Sequence, residues 1–491
     1  MFAGLLIITV LLPLLIGILN VIIPFKRRVY MMRYLEIGVI VTSAIVWYVM
    51  LSGFSGVFTL VHFTGDLTIQ FELDGMSKVF AGLVSLLWPL ATLYSFEYMT
   101  KEENEKIFFM FYTMTYGITL GIAFAGNLLT MYFFYELLTL VTVPLVMHTL
   151  TREAILASRK YLYYSLGGAA FAFIGLIFII VYGSNLAFTM GGVLDMAAVG
   201  DRVELLRLIY VFAFMGFSVK AAMWPFSGWL PQAGVAPTPV TALLHAVAVV
   251  KAGAFACIRL TYYCFGTEFL RGTWAQYVVM TFTMITIVYG CAKAVKETHL
   301  KRRLAYSTVS NLSYILFGVT IMTPAGLIGA LCHMVFHAVM KICSFFCAGS
   351  VIHMTERTYV HQLDGCGRKM PWVFGTFTVA SLALMGVPGL CGFISKWYLA
   401  EAAVSSGNML AVGGVGCLLV SALLTSIYMM SIVIRAFFPA KGFDYTTIED
   451  VKDPSWMMIL PLAIFAIAIV VMGLYSTPLV NLFTQIAQGL M

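Results

Sequence analysis

Eight ionisable side chains stand in stretches that are otherwise apolar: Glu136, Lys220, His245, Lys251, His333, His337, Lys341 and Lys396. A charged group at mid-bilayer costs about 2.5–3.5 kcal/mol on insertion scales, so several kept in one chain are expected to have a task. Amines, imidazoles and a carboxylate take up and release protons. Sodium prefers hard oxygen ligands, and this set offers four lysines to one carboxylate. The chemistry these residue types point to is proton transfer from one side chain to the next, with sodium disfavoured.

Spacing sharpens that expectation. His333, His337 and Lys341 recur at i, i+4, i+8, which holds them within a stripe of about 80° that covers about 12 Å of one helix. Such a row suits proton hopping through one or two waters. Two histidines satisfied by neighbouring hydroxyls, with a lysine reaching for the interface, would give the same pattern. So would a histidine pair sharing a haem or a metal, although a lysine on the same stripe repels a cation there. Glu136 and Lys220 are the natural ion pair. At about 7 Å and an effective dielectric near 20 they attract by about 2.4 kcal/mol. Moving one charge across 100 mV takes about 2.3 kcal/mol, so making or breaking the pair is of the size needed to load or eject a proton. A static pair pinning two helices is the competing expectation. His245 and Lys251 are six apart, about 120° around an ideal helix. Either a π-bulge realigns them or they face different neighbours. Arg259, near the end of the same run, is expected to snorkel to the interface.

The elements that must carry these residues are membrane helices. The chain has 491 residues, of which 61% are hydrophobic and 10% charged, whereas soluble domains carry about 25% charged residues. Fourteen apolar runs of the roughly 20 residues needed to span a bilayer can be counted. The fifth is 127–148, the seventh 207–230, the eighth 237–262, the eleventh 325–350 and the twelfth 371–396. The net charge of +7 is a matter of topology: twenty of the 29 basic residues fall in loops of one side, among them Lys26-Arg27-Arg28 and Lys301-Arg302-Arg303, and four on the other. By the positive-inside rule both termini are expected outside the cytoplasm, and no nucleic-acid footprint is left to explain. The first run is expected to stay as an anchor, because no basic residue precedes it and Lys26-Arg27-Arg28 follow it. The nine cysteines lack CxxC pairing and are expected to pack as small apolar groups. The stretches outside the runs, near 52–76, 184–206, 351–370 and 437–454, are too short for a soluble domain. No nucleotide loop, iron–sulfur ladder or Ser/His/Asp arrangement is present.

Two runs carry helix breakers at mid-membrane. The seventh holds Lys220, Pro225, Gly228 and Pro231, and the twelfth holds Gly386, Pro388, Gly389, Gly392 and Lys396. Proline removes a helical donor and glycine relaxes the backbone, and in lipid such a break survives only against protein or a wet cavity. A packing kink is the plain alternative, but each break has a lysine within about two turns. Interrupted runs five apart suggest an inverted repeat of five helices each, spans 4–8 and 9–13, between broken helices 7 and 12. The lysines differ by 176 positions and the prolines by 163, so the register between the halves is loose. The expected divisions are 1–106 for the first three spans, 107–262 and 274–436 for two five-helix half-channels, and 437–491 for the last span.

Several of these stretches carry a family resemblance. They are Leu73-Asp74-Gly75, Tyr135-Glu136-Leu137, Lys220 before Trp229-Leu230-Pro231, the run from Ala236 through Pro237-Thr238-Pro239 to His245 with Lys251 beyond it, Lys301 to Ser307, the His333–His337–Lys341 row, and Gly386 to Lys396. The sequence resembles the antiporter-like subunits of respiratory complex I and their relatives in Mrp-type cation/proton antiporters and membrane-bound energy-converting hydrogenases. The resemblance implies an all-α polytopic fold of about fourteen transmembrane helices, two inverted half-channels and a central line of charge. It further implies proton translocation driven by electron transfer in neighbouring subunits, or cation exchange. Glu136 and Lys220 match the family's glutamate–lysine pair, Lys251 and the span-eleven residues its central lysine and histidines, and Lys396 the lysine of the second break. No cofactor is expected in this chain; iron–sulfur, flavin or nickel–iron centres belong to partner subunits. The partners implied are other membrane subunits, further antiporter-like ones included, in the cytoplasmic (inner) membrane. Two departures, an end at 491 without a long lateral helix and a lysine where one branch has glutamate at the second break, favour a Mrp-like or hydrogenase-type complex over the most distal complex I subunit. A stand-alone transporter for a small solute, a structural scaffold and an intramembrane metalloenzyme are the competing classes.

Overall fold

The computed structural model describes residues 2–53, 56–65 and 67–490. In chain order the elements begin with α1 (Phe2–Ile22), α2 (Arg28–Leu51), a hairpin of β1 (Val57–Thr64) and β2 (Leu67–Glu72), α3 (Gly75–Tyr98), α4 (Glu105–Ala123), α5 (Leu128–Val146) and α6 (Arg152–Tyr182). Next come α7 (Val203–Ser218), the short α8 (Trp229–Gln232), the long helix α9 (Thr238–Phe265) and α10 (Trp274–Lys296). The chain continues through α11 (Leu300–Ile321), α12 (Pro324–Thr355), α13 (Pro371–Met385), α14 (Cys391–Ser405), α15 (Met409–Phe437), α16 (Trp456–Leu474) and α17 (Thr477–Ala487). Twelve helices among the described residues are long and apolar enough to cross a membrane, which makes this a multi-pass membrane protein.

Helix ends inside or near lipid need partners for their free N–H groups, and short polar side chains supply them. Asp74 accepts from the Ser77 amide at 2.8 Å to start α3, and Asn127 accepts from the Thr130 amide at 2.7 Å to start α5. Thr151 caps α6, and Thr323 caps α12 with Pro324 at the first helical position, where its missing donor costs nothing. Burial sorts the helices into layers. The most apolar stretch of α9 is 100% buried and those of α11 and α12 are 94% buried, against 33% for α2 and α16. The centre is therefore α9, α11 and α12, and α9 and α12 hold five of the eight candidate residues, His245, Lys251, His333, His337 and Lys341.

Two features lie beyond the sequence expectation. The stretch 52–76, expected only to lie outside the apolar runs, contains the antiparallel β1–β2 hairpin, with Phe58 opposite Phe71. It is held because β2 pairs at Phe71 with Ala125, and Asn127 Nδ2 donates to the Thr68 carbonyl at 2.9 Å. The two runs with mid-membrane breakers are interrupted: 207–230 is α7, a turn and α8, and 371–396 is α13, a turn and α14. Past the last expected span lies α17, whose Ile486 packs on Gly75 at the start of α3.

Candidate ion-translocation site

The turn after α7 begins at Lys220 and bends because Ala222 takes a left-handed backbone (φ +54), which costs a non-glycine residue about 1–2 kcal/mol. Pro225 and Pro231 then supply no donor for a continuing helix. The freed backbone groups are met by protein. The Trp224 amide donates to Thr286 Oγ1 at 3.0 Å, and Trp229 Nε1 donates to the Val219 carbonyl at 2.9 Å. Gly253 of α9 permits the contact: a Cβ there would stand 2.6 Å from the Ala221 amide nitrogen. Lys220 is fully buried, its amine donating to the Tyr135 carbonyl and lying 3.4 Å from the centre of the Tyr135 ring. Glu136, next along α5, is close enough to act on Lys220 electrostatically but makes no ion pair within 4 Å, and its Oε1 has no hydrogen-bond partner.

In α9 the residues Leu243–Val247 form a π-turn, closed by the Ala248 amide donating to the Leu243 carbonyl at 2.9 Å. The extra residue in that turn brings His245 and Lys251 to one side, toward α12. His245 lies against Phe345, with ring centres 4.8 Å apart, and the Lys251 amine is 2.5 Å from His337 Nδ1. The His337 ring stacks with His333 at 5.6 Å and 17°. His333 Nδ1 is 2.9 Å from Ser395 Oγ of α14, and its ring stacks on Tyr314 at 5.0 Å. All four of these charged or imidazole groups are 0% exposed. Lys341, one turn beyond His337, donates to Ser307 Oγ at 2.8 Å and to the Leu304 carbonyl at 3.1 Å. Both ring nitrogens of His245 and the Nε2 atoms of His333 and His337 are buried without a protein partner. A buried polar atom left unpaired costs about 1–3 kcal/mol, so these nitrogens stand apart from the satisfied polar groups around them.

The second turn, between α13 and α14, relies on glycine. Gly386 and Gly389 have φ of +94 and +89, and Pro388 stands between them. The carbonyls it frees at Leu384 and Met385 accept from the Lys396 amine at 2.6 and 2.9 Å. That amine is 5.5 Å from the centre of the Tyr314 ring, the ring that also stacks on His333. Lys251, His337, His333, Tyr314 and Lys396 therefore form one line from the wall of the first turn to the second. Among the described residues no three His, Cys, Asp or Glu side chains gather as a metal site.

Residues 125–425, more than half of the chain, match the family described as NADH:quinone oxidoreductase/Mrp antiporter, TM. The chain belongs to that family. It is 29% identical over 433 residues to NADH-quinone oxidoreductase subunit N of Desulforudis audaxviator, covering 85% of this chain and 84% of that one. It is 28% identical over 437 residues to an antiporter subunit of Staphylococcus aureus, covering 83% of this chain but 52% of the relative. Its fold is that of chains in three solved complexes, each aligned over 99% of this chain. These are an archaeal membrane-bound sulfane sulfur reductase (TM-score 0.86, 22% identity, 97% of that chain), the Mrp complex of Dietzia (0.84, 21%, 97%) and respiratory complex I of Thermus thermophilus (0.81, 20%, 100%).

Two side chains of this antiporter-family chain are not where the sequence suggested. Arg259 does not snorkel. It is 1% exposed and paired with Asp74 through two bonds of 2.5 and 2.8 Å, surrounded by the rings of Phe188, Phe255 and Tyr263. Burial pushes the Asp74 carboxyl up, but the Arg259 guanidinium and the Ser77 hydrogen bonds together hold it below the usual carboxylate range. Lys301, counted with the loop charges, is 7% exposed and donates to the Ala236 carbonyl at 2.8 Å. Ser395 and Tyr314 were missed. A lone serine or tyrosine in an apolar run carries no signal of its own, although Ser395 directly precedes Lys396.

Proposed function

We propose that this chain is the proton-translocating, antiporter-like subunit of a multisubunit membrane complex, moving protons along Glu136, Lys220, His245, Lys251, His333, His337, Lys341 and Lys396. The observation that carries the proposal is the Lys251–His337 contact of 2.5 Å, made between two fully buried groups on helices of different halves. On this reading α7 with α8, and α13 with α14, are two interrupted spans, broken at Pro225 and Pro231 and at Pro388 and Gly389. Added to the twelve continuous helices they make fourteen, arranged as inverted half-channels over 107–262 and 274–436. The membrane is the cytoplasmic (inner) one and both termini face outward, as the distribution of lysine and arginine in the loops favours. Electron transfer or cation exchange in partner subunits drives the protons, and any iron–sulfur, flavin or nickel–iron centre resides in those partners. Further antiporter-like subunits are among the expected neighbours.

The test is Lys251→Met in the intact complex reconstituted in liposomes, with proton movement followed by a pH-sensitive dye and turnover followed separately. The proposal expects proton movement to fall at least about tenfold, more than 1.4 kcal/mol of barrier. A structural scaffold expects wild-type proton movement.

A further inference from the structure

Beside the histidine line, the second half contains a run of hydroxyls and one thiol that begins at Lys341 and reaches Ser421 and Ser310, with the Tyr314 phenol beside them and Lys396 beyond. Ser307 Oγ accepts from Lys341 and also from the Tyr428 hydroxyl, each at 2.8 Å. The Tyr428 hydroxyl is 3.1 Å from Thr425 Oγ1, which is 3.6 Å from Cys291 Sγ. That thiol is 2.9 Å from Ser421 Oγ and 3.1 Å from Ser310 Oγ. The Tyr314 phenol, donating to the Leu418 carbonyl at 3.2 Å, lies beside Ser421 and Cys291. Its ring is the one 5.5 Å from the Lys396 amine. Every side chain in the run is 0–2% exposed.

The sequence arranges this deliberately in helical terms. Ser421, Thr425 and Tyr428 recur at i, i+4, i+7 on one face of α15, and Ser307, Ser310 and Tyr314 at i, i+3, i+7 on the facing side of α11. Hydroxyls in membrane helices commonly bond back to their own helix, and Thr425 does so to the Ser421 carbonyl at 2.7 Å. Back-bonding alone does not call for side-chain contacts that cross three helices and terminate near a lysine at each end. Tyr428 has one proton and two oxygen neighbours, so it can donate toward Lys341 or away from it.

We propose that Ser307, Tyr428, Thr425, Cys291 and Ser421 pass protons between Lys341 and Lys396 as a second route, parallel to His337 and His333. In one passage the Lys341 ammonium gives up a proton. Each hydroxyl or thiol accepts one on one side and releases its own on the other, and the Tyr314 phenol passes one through a water to Lys396, which receives it as the neutral amine. No intermediate group keeps a charge, and the hydroxyls then rotate back. This rests on the proposed function, since it presumes that both lysines carry protons.

The experiment uses the same reconstituted complex. Thr425→Val keeps the shape of the side chain and removes the hydroxyl, whereas Thr425→Ser keeps the hydroxyl. Cys291→Ala and Cys291→Ser form the matching pair, and thermal unfolding confirms that all fold as the parent does. The proposal expects Thr425→Val and Cys291→Ala to slow proton movement by about twofold alone and at least about tenfold when His333→Gln closes the other route, with both serine variants near the parent rate. Equal rates for the valine and serine variants in the His333→Gln background would overturn it. Lys341→Met separates the two claims. If it abolishes proton movement while Thr425→Val has no effect, the hydroxyl route alone fails; if it leaves proton movement intact, the proposed function fails and this inference with it.

Discussion

The two lysines at the helix interruptions are held in different ways. Lys220 is sealed, its turn built from prolines and a left-handed alanine, its amine against Tyr135 and a carboxylate, Glu136, close by. Lys396 is partly buried, its turn built from glycines, its amine held by the two carbonyls that the turn releases. The first lysine therefore has a carboxylate neighbour, and the second has the dipoles of two backbone carbonyls. Under the proposed function, that difference assigns charge switching to the first half and onward transfer to the second. The ion pairs differ in burial too, though not by half: Arg259–Asp74 is 1% and 24% exposed, whereas Arg207–Glu204 is 24% and 65% and Arg435–Asp364 46% and 31% exposed.

Substitutions can break this contrast in order of expected size. Asp74→Asn leaves the Arg259 guanidinium buried without its partner and should cost about 3–5 kcal/mol, read as a large drop in thermal stability of the solubilised protein. Because the Asp74 carboxyl is held below its usual range, the pair's stabilisation is present above the carboxyl's unfolded value and is lost as pH falls through the folded one. The loss of stability in Asp74→Asn should accordingly be full at neutral pH and shrink in acid. Glu136→Gln makes the first lysine resemble the second. Removing an attraction of about 2.4 kcal/mol should slow proton movement by up to roughly fiftyfold, with assembly of the complex unchanged. An unaltered rate would mean that the carboxylate only pins helices. Gly386→Ala forces a side chain into a left-handed turn at about 1–2 kcal/mol, and its Cβ would meet Lys396 Cδ at 3.0 Å. A few-fold slower rate is expected, and a wild-type rate would show that the second turn is not a tight fit. Asp364→Asn, at an exposed pair, should change stability by about 0–1 kcal/mol.

Much of this contrast was legible in the sequence because membrane helices leave few ways to hide a charge. The stripe His333–His337–Lys341 needed only helical periodicity, and the turns at Pro225 and Gly386 were marked by breakers. The π-turn at Leu243–Val247 was one of two alternatives for His245 and Lys251; periodicity assumes an even helix and cannot choose between them. The partner of Arg259 was out of reach, since Asp74 lies 185 positions away and long-range pairing leaves no local trace. The hairpin of β1 and β2 was out of reach because a short two-stranded element beside long apolar runs gives no periodicity strong enough to name it.

Water is the direct test of whether the buried charges form a conducting line. An experimental structure of the intact complex, at a resolution that shows ordered solvent, should place water on the unpartnered ring nitrogens of His245, His333 and His337 and between the Tyr314 ring and Lys396. Dry hydrocarbon packed between Lys220, Lys251 and Lys396, with those nitrogens sealed from one another, would contradict the account.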